Sequence, residues 1–158
     1  MCTRASKKIW IIRRMKLLNL GQNLMLDVYI KEIRSILEFG VVVWTSGLTL
    51  QQINQIERIQ RTCVSVILFE PGFKFSYTVG CTLLSLEPLH YRRTELCIRF
   101  ALKTSKNSKH GDLFTPNTNT IDTRQEKVHF REHTGRNSSG RFHNSPLCYL
   151  TRLLNKNI

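Results

Sequence analysis

Residues 49–68, TLQQINQIERIQRTCVSVIL, carry the clearest structural signal in this 158-residue chain. Thr49 and Gln52 have the spacing of a capping box, in which each side chain accepts a hydrogen bond from the backbone N–H of the other residue at a helix start. Apolar residues then recur every three or four positions, which is the period of one helix face. The stretch therefore predicts an amphipathic helix, whose buried stripe we expect to consist of Ile53, Ile56, Ile59, Cys63 and Ile67.

Residues 24–39, which precede this helix, have the same period, and Gly40 fits the position that ends a helix. We expect one face to be buried, formed by Leu26, Tyr29, Ile30, Ile33 and Leu37. This second helix is conventionally amphipathic.

Residues 6–20 also predict a helix, with Ser6 as its N-cap and Gly21 as its stop. Its apolar residues lie on more than one side. One stripe contains Ile11, Met15 and Leu18, and the others are Ile9, Trp10, Leu17 and Leu20. A helix of this kind has more apolar surface than one neighbour can cover.

A further helix is predicted after Ser85 and Pro88, extending to Lys106, with Leu89, Leu96, Phe100 and Ala101 facing inward. Residues 107–144 are rich in Asn, Thr, Ser, Gly and His, which is typical of a flexible basic arm. Residues 145–158 predict a short C-terminal docking helix. The fold expected is all-α, with a bundle of about four helices over residues 6–106.

The charge of the chain is its most unusual property. It has 24 Lys and Arg against 11 Asp and Glu, a formal net charge of +13. Such a charge is most easily tolerated beside a polyanion, so nucleic acid is the first expected partner and an anionic membrane surface the second. No apolar run approaches the roughly 20 residues of a transmembrane helix. Five scattered cysteines suit a reducing compartment, so we expect an intracellular protein, nuclear or cytoplasmic.

The sequence offers little for catalysis or metal binding. The acids are scattered and include no adjacent Asp pair, whereas two-metal phosphoryl transfer needs clustered carboxylates. His110 and Asp112 match part of an iron-binding triad, and a zinc set is conceivable from His129, His133, His143 and Cys148. Neither set has the supporting pattern of strands or paired cysteines. We therefore expect no enzyme activity, no metal and no cofactor.

Basic side chains on the predicted helices are the remaining functional signal, because they suit sequence-nonspecific contact with phosphates. Arg58 and Arg61 lie on the capped helix. We expect the basic side of the first helix and the Arg92/Arg93 turn to be exposed. The residues predicted to bind nucleic acid are Lys7, Lys8, Arg13, Arg14, Lys16, Arg92, Arg93 and Lys103.

Several segments together resemble one known region: KKIWIIRRMKLL (7–18), VYIKEIRSILEFGVVVWTSGLT (28–49), QINQIERIQRTCVSVIL (52–68), LLSLEPLHYRRTELCIRFALKTSK (83–106) and SPLCYLTRLLN (145–155). In order and spacing they are similar to the thumb, the segment after the polymerase palm, of non-LTR (LINE-type, jockey/CR1-like) retrotransposon reverse transcriptases. The resemblance covers nearly the whole chain, although no single motif is diagnostic.

The resemblance implies a helical thumb that grips an RNA or DNA duplex, with an upstream polymerase domain as partner in the full-length protein. The Phe/Tyr-Ala-Asp-Asp palm motif of the family matches nothing here, so no catalytic residue is carried over. One alternative is an RNA-binding segment associated with an AlkB-like tRNA-modifying oxygenase and methyltransferase, which the first helix resembles. Another alternative is a decayed retroelement remnant without function.

Overall fold

A computed structural model describes residues 1–69, 76–106, 110–114, 130 and 144–157 of the chain. These residues form helices joined by turns, with no β-strand among them, so the predicted all-α class is confirmed. Most of the predicted arm, residues 107–144, lies outside the described residues. Within the described part of the chain, no helix combines the length and the apolar character needed to cross a membrane.

The chain divides into two compact units. The first unit comprises Met1–Gly40 and Thr49–Arg92, and the second comprises Val41–Leu48 and Arg93–Ile158. The division falls within residues 6–106, which the sequence pattern presents as one helical region. Each unit has its own buried residues and is described separately below.

Helix α1 (Cys2–Leu17) opens the first unit, and both of its ends differ from the prediction. Its N-cap is Met1 rather than Ser6, and no side chain caps the first turn. After the helix, Asn19 has the left-handed conformation (φ 52°) expected of the residue that stops a helix, and asparagine tolerates it better than most residues do. Gly21 instead precedes the next helix as its N-cap.

Helix α2 is continuous but changes its winding midway. It consists of an α-helical Gln22–Val28, a π-helical Tyr29–Arg34 and an α-helical Ser35–Glu38, and Gly40 follows with a φ of 64°. Its buried residues are spaced four apart: Met25, Tyr29, Ile33 and Leu37. On a helix of 3.6 residues per turn, each such step drifts by about 40° around the axis. The wider π turn reduces this drift and keeps the buried residues on one side.

Two short helices and one long helix follow. Helix α3 (Val41–Trp44) continues into a 3₁₀ turn, Thr45–Gly47, and belongs to the second unit. Helix α4 (Leu50–Ile67) returns to the first unit and begins with the predicted capping box. The Gln52 N–H donates to Thr49 Oγ1 at 3.3 Å, and the Thr49 N–H donates to Gln52 Oε1 at 2.9 Å.

The buried face of α4 closely follows the predicted stripe. Ile56, Ile59, Cys63 and Ile67 are buried, and Ile53 is half-buried. Helix α5 (Tyr77–Leu83) packs on α4 at Gly80, where an added Cβ would lie 2.7 Å from Val64 Cγ1. The two helices therefore approach too closely for a larger residue to fit unless its neighbours move.

A buried polar side chain connects three segments of the first unit. Gln60, on α4, has no exposed surface. Its Oε1 accepts a hydrogen bond from the Tyr29 hydroxyl at 2.7 Å, and its Nε2 donates to the Glu87 carbonyl oxygen at 2.9 Å and to Cys81 Sγ at 3.6 Å. Burial raises the pKa of Tyr29, which keeps its phenol protonated and able to donate.

Helix α6 (Leu89–Ser105) contributes its first residues to the first unit and the remainder to the second. Leu89 and Ala101 are buried as expected, and Leu96 is half-buried. The expectation that Phe100 faces inward is wrong, because 46% of its surface is exposed. Cys97, three residues earlier, is fully buried instead, so the buried face is rotated from the predicted one.

The core of the second unit lies between α6 and the C-terminal helix α7 (Pro146–Asn157). Around α7, Asn155 fixes Phe130 through both backbone groups: its Oδ1 accepts from the Phe130 N–H at 2.9 Å, and its Nδ2 donates to the Phe130 carbonyl at 3.0 Å. The rings of Phe114 and Phe130 meet edge to face, 6.0 Å apart. The buried residues of this core are Cys97, Ala101, Phe114, Leu150 and Leu154.

Candidate nucleic-acid interface

The basic residues predicted on α1 divide into two groups. Lys7, Arg13 and Arg14 are exposed to solvent. Lys8 and Lys16 are half-buried and engaged within the first unit: Lys8 forms an ion pair with Glu32, and Lys16 Nζ donates to the Ile67 carbonyl oxygen at 3.1 Å. The expectation that all five lie on an exposed basic side is therefore wrong for Lys8 and Lys16.

The ion pair with Lys8 changes the pKa of its partner, Glu32. The hydrogen bond from Lys8, together with its charge, lowers the pKa of Glu32. Glu32 is exposed and Lys8 is only partly covered, so water screens the pair and it contributes little to stability. Its effect is to neutralise Lys8 locally, so that, of the five predicted residues on α1, Lys7, Arg13 and Arg14 are exposed to a partner.

Helices α1 and α4 bring arginines together in one surface groove of the first unit. The groove has a volume of about 740 Å³. Arg13 of α1 lies in it with Arg58 and Arg61 of α4, and all three are exposed. Asn54 and Ser65 in the lining add neutral hydrogen-bond donors. Thr62 also lines the groove, but its hydroxyl donates to the Arg58 carbonyl oxygen at 2.9 Å. Guanidinium groups beside hydroxyl and amide donors are a suitable lining for phosphate oxygens.

Arg61 is held in place by an aromatic ring. Its guanidinium lies 5.1 Å from the centre of the Tyr77 ring, within the range of a cation–π contact. The Tyr77 hydroxyl in turn donates to Glu57 Oε2 at 2.8 Å. Burial, reinforced by this bond to a carboxylate, raises the pKa of Tyr77. The contact with Tyr77 therefore favours one position of the Arg61 guanidinium.

Glu57 is the acidic residue in the groove lining. It is buried, with 8% of its surface exposed, and besides the bond from Tyr77 its Oε1 lies 3.5 Å from His90 Nδ1. The carboxylate thus faces the interior and its own neighbours more than solvent. We expect it to weaken the positive potential of the groove only in part, because three arginines surround one acid.

The predicted pair Arg92 and Arg93 lies outside this groove. Arg92 donates through Nε and Nη2 to the two carboxylate oxygens of Glu38, and Arg34 lies 3.6 Å from the same carboxylate. Arg93, in the second unit, is buried with 3% of its surface exposed. The expectation of an exposed Arg92/Arg93 turn is wrong for both residues. Arg92 is half-buried and bound to Glu38, and Arg93 belongs to the inner face of α6, four residues before Cys97.

Lys103 is exposed on α6 in the second unit. Arg99, one turn earlier, is also exposed but donates to Glu95 at 2.5 Å. The structure therefore leaves Lys103 accessible, as the sequence suggests, but does not place it among the residues of the α1/α4 groove.

The residues considered and rejected as metal ligands from the sequence are only partly described. His129, His133 and His143 lie outside the described residues, whereas His110, Asp112 and Cys148 lie within them. Among the residues that are described, no three His, Cys, Asp or Glu side chains come together as a set of metal ligands.

The sequence identifies Arg58 and Arg61 as basic residues of the capped helix but does not place them with Arg13. The available signal was their position just outside the apolar stripe of α4, one turn apart. The sequence does not show that α1 pairs with α4.

A scan against protein-family models finds no match, and neither the curated proteins nor the solved structures include a significant match to this chain.

Proposed function

We propose that this chain binds nucleic acid through its phosphates, with little sequence preference, and catalyses no reaction itself. The observation that carries the proposal is the convergence of Arg13, Arg58 and Arg61 from two helices on one groove. Exposed arginines normally repel one another, so grouping them is easiest beside a polyanion. The net charge of +13 acts in the same direction.

The sequence resemblance suggests a setting for this binding. A thumb-like region of a non-LTR retrotransposon reverse transcriptase would hold a template-primer duplex beside an upstream polymerase domain. The all-α fold is compatible with that role. The groove supports phosphate binding independently of this resemblance.

The test is a salt series. Fluorescence anisotropy with a labelled DNA duplex and an RNA–DNA hybrid should show affinity that falls steeply as salt rises. Each phosphate contact that is removed should flatten the slope of log affinity against log salt by about 0.9 on B-form DNA. Arg13→Ala, Arg58→Ala and Arg61→Ala should each do so, by similar factors on unrelated sequences.

Lys31→Ala is the matched control, because Lys31 is an exposed cation of the same unit that pairs with Asp27, on α2. It removes the same charge without touching the groove, so it should leave the slope nearly unchanged. If the three arginine variants behave like the Lys31 variant, the groove is not the binding site. If the native chain at low salt binds no more tightly than a disordered peptide of equal charge, the chain is better explained as a remnant without function.

A further inference from the structure

Helix α1 exposes a tryptophan on its outer face. Trp10 leaves 64% of its surface in solvent, although its indole is a large apolar group. The helix buries its opposite side, which consists of Ala5, Ile9, Ile12 and Met15. The core of the first unit thus accounts for part of the apolar surface of this segment, and Trp10 and Leu17 remain exposed.

Cations surround this indole along the helix. Lys7 precedes Trp10 by three residues, and Arg13 and Arg14 follow it by three and four. At about 100° per residue, all three lie within about 60° of Trp10 around the helix axis. Each is exposed, and among the described residues none of them forms an ion pair with an acid. The result is one aromatic ring with positive charge on both sides.

This arrangement matches the chemistry of unpaired nucleotides. Proteins that bind single strands combine aromatic side chains, on which bases stack, with cations that follow the phosphates. A base inside a duplex already stacks on its neighbours and does not present its face to an external ring. Arg13, which follows Trp10 by about one helical turn, also lines the α1/α4 groove.

We propose that Trp10 stacks on an unpaired base of the bound nucleic acid while Lys7, Arg13 and Arg14 contact its phosphates. This inference rests on the proposed function and adds the kind of ligand: a strand with an unpaired stretch next to the groove. Charge complementarity favours this occupant over a lipid surface, because a helix that lies in a membrane keeps its cations off the face that inserts.

The test compares a thymidine oligonucleotide with a blunt duplex of equal length. Trp10→Ala should weaken binding of the single strand by about 5- to 150-fold, which is the range that stacking on one base supplies. Binding of the duplex should change by less than about twofold. Because no charge is removed, the slope of the salt dependence should stay the same for both ligands.

Two further variants make the result specific. Trp10→Leu keeps an apolar side chain without a flat ring and should lose as much single-strand affinity as Trp10→Ala. Leu17→Ala removes an apolar side chain of the same helix that is 76% exposed, and should change nothing. In a chain carrying Trp44→Phe, the fluorescence of Trp10 should fall when the thymidine oligonucleotide is added.

Each opposing result has its own meaning. Full affinity in Trp10→Leu, equal losses on both ligands, or no quenching would overturn the stacking role. Binding of the chain to vesicles of phosphatidylserine and phosphatidylcholine would also overturn the stacking role, if Trp10→Ala abolishes that binding. If the native chain binds both nucleic acids with steep salt dependence and Trp10→Ala does not affect them, the stacking inference alone fails. If the native chain binds neither, the proposed function fails as well.

Discussion

Removing one oxygen atom from Tyr29 should destabilise the first unit measurably. Tyr29→Phe keeps the ring and its packing but deletes the hydroxyl that donates to Gln60 Oε1 at 2.7 Å. Both side chains have no exposed surface, so water cannot replace the lost donor. Leaving a buried acceptor without its donor costs about 1–3 kcal/mol, and we expect the free energy of unfolding to fall by that amount.

A double-mutant cycle identifies the cause. In a Gln60→Leu background the Tyr29 hydroxyl has already lost its acceptor and is itself a buried polar group without a partner. Tyr29→Phe should then be neutral or stabilising, so its cost disappears or becomes a gain. The coupling energy between the two positions should lie in the range of about 0.5–3 kcal/mol found for residues in direct contact.

Urea unfolding followed by far-ultraviolet circular dichroism gives the four free energies that the cycle requires. Tyr91→Phe is the control, because Tyr91 is 66% exposed and its hydroxyl is accessible to water. That change should stay within about 0.5 kcal/mol of the parent chain. An equal cost of Tyr29→Phe in both backgrounds would show that the hydrogen bond does not couple α2 to α4, and the reasoning would be wrong.

Three other outcomes are expected. Gly80→Ala should lower the free energy of unfolding by about 1–3 kcal/mol through overpacking against Val64, despite the better helix propensity of alanine. Gly47→Ala is the control in the same urea titration, because a Cβ at Gly47 meets open space. Burial raises the pKa of Cys63 to about 12 from an ordinary value of 9.0. The stability that its neutral thiol contributes should therefore be complete below pH 9 and lost as the pH rises toward 12. Urea midpoints measured across this pH range should fall less in Cys63→Ala than in the parent chain. Purified chain given Mg²⁺, a primed RNA template and nucleotides should extend no primer, because its scattered acids offer no clustered carboxylates for two-metal transfer, and template-dependent extension above a buffer control would contradict this.

The features that the sequence predicted well depend on neighbours along the chain. The capping box of Thr49 and Gln52 and the buried stripe after it involve residues within one helix. They can therefore be predicted without knowing how this helix packs against the others. The end of α1 was harder to predict. Gly21 looked like the stop, but Asn19 takes the left-handed conformation first and leaves the glycine to cap the next helix.

The candidate site was less predictable, because its residues come from different helices. The sequence places each of Arg13, Arg58 and Arg61 on a helix, but no pattern within either helix indicates that α1 and α4 lie side by side. Arg93 shows the converse. A charged residue next to another arginine reads as exposed, and its burial depends on neighbours in the second unit that periodicity does not reveal.

The π-helical turn at Tyr29–Arg34 has a consequence for insertions and deletions in this chain. A π turn closes over five residues where an α turn closes over four, so this stretch holds one residue more than regular α-helix needs. Deletion of exposed Lys31 should therefore be absorbed by rewinding the turn, whereas a deletion elsewhere in α2 rotates every later side chain by about 100°. Length variation in α2 should be tolerated at this turn, and comparing the unfolding free energies of single-residue deletions along the helix would locate it.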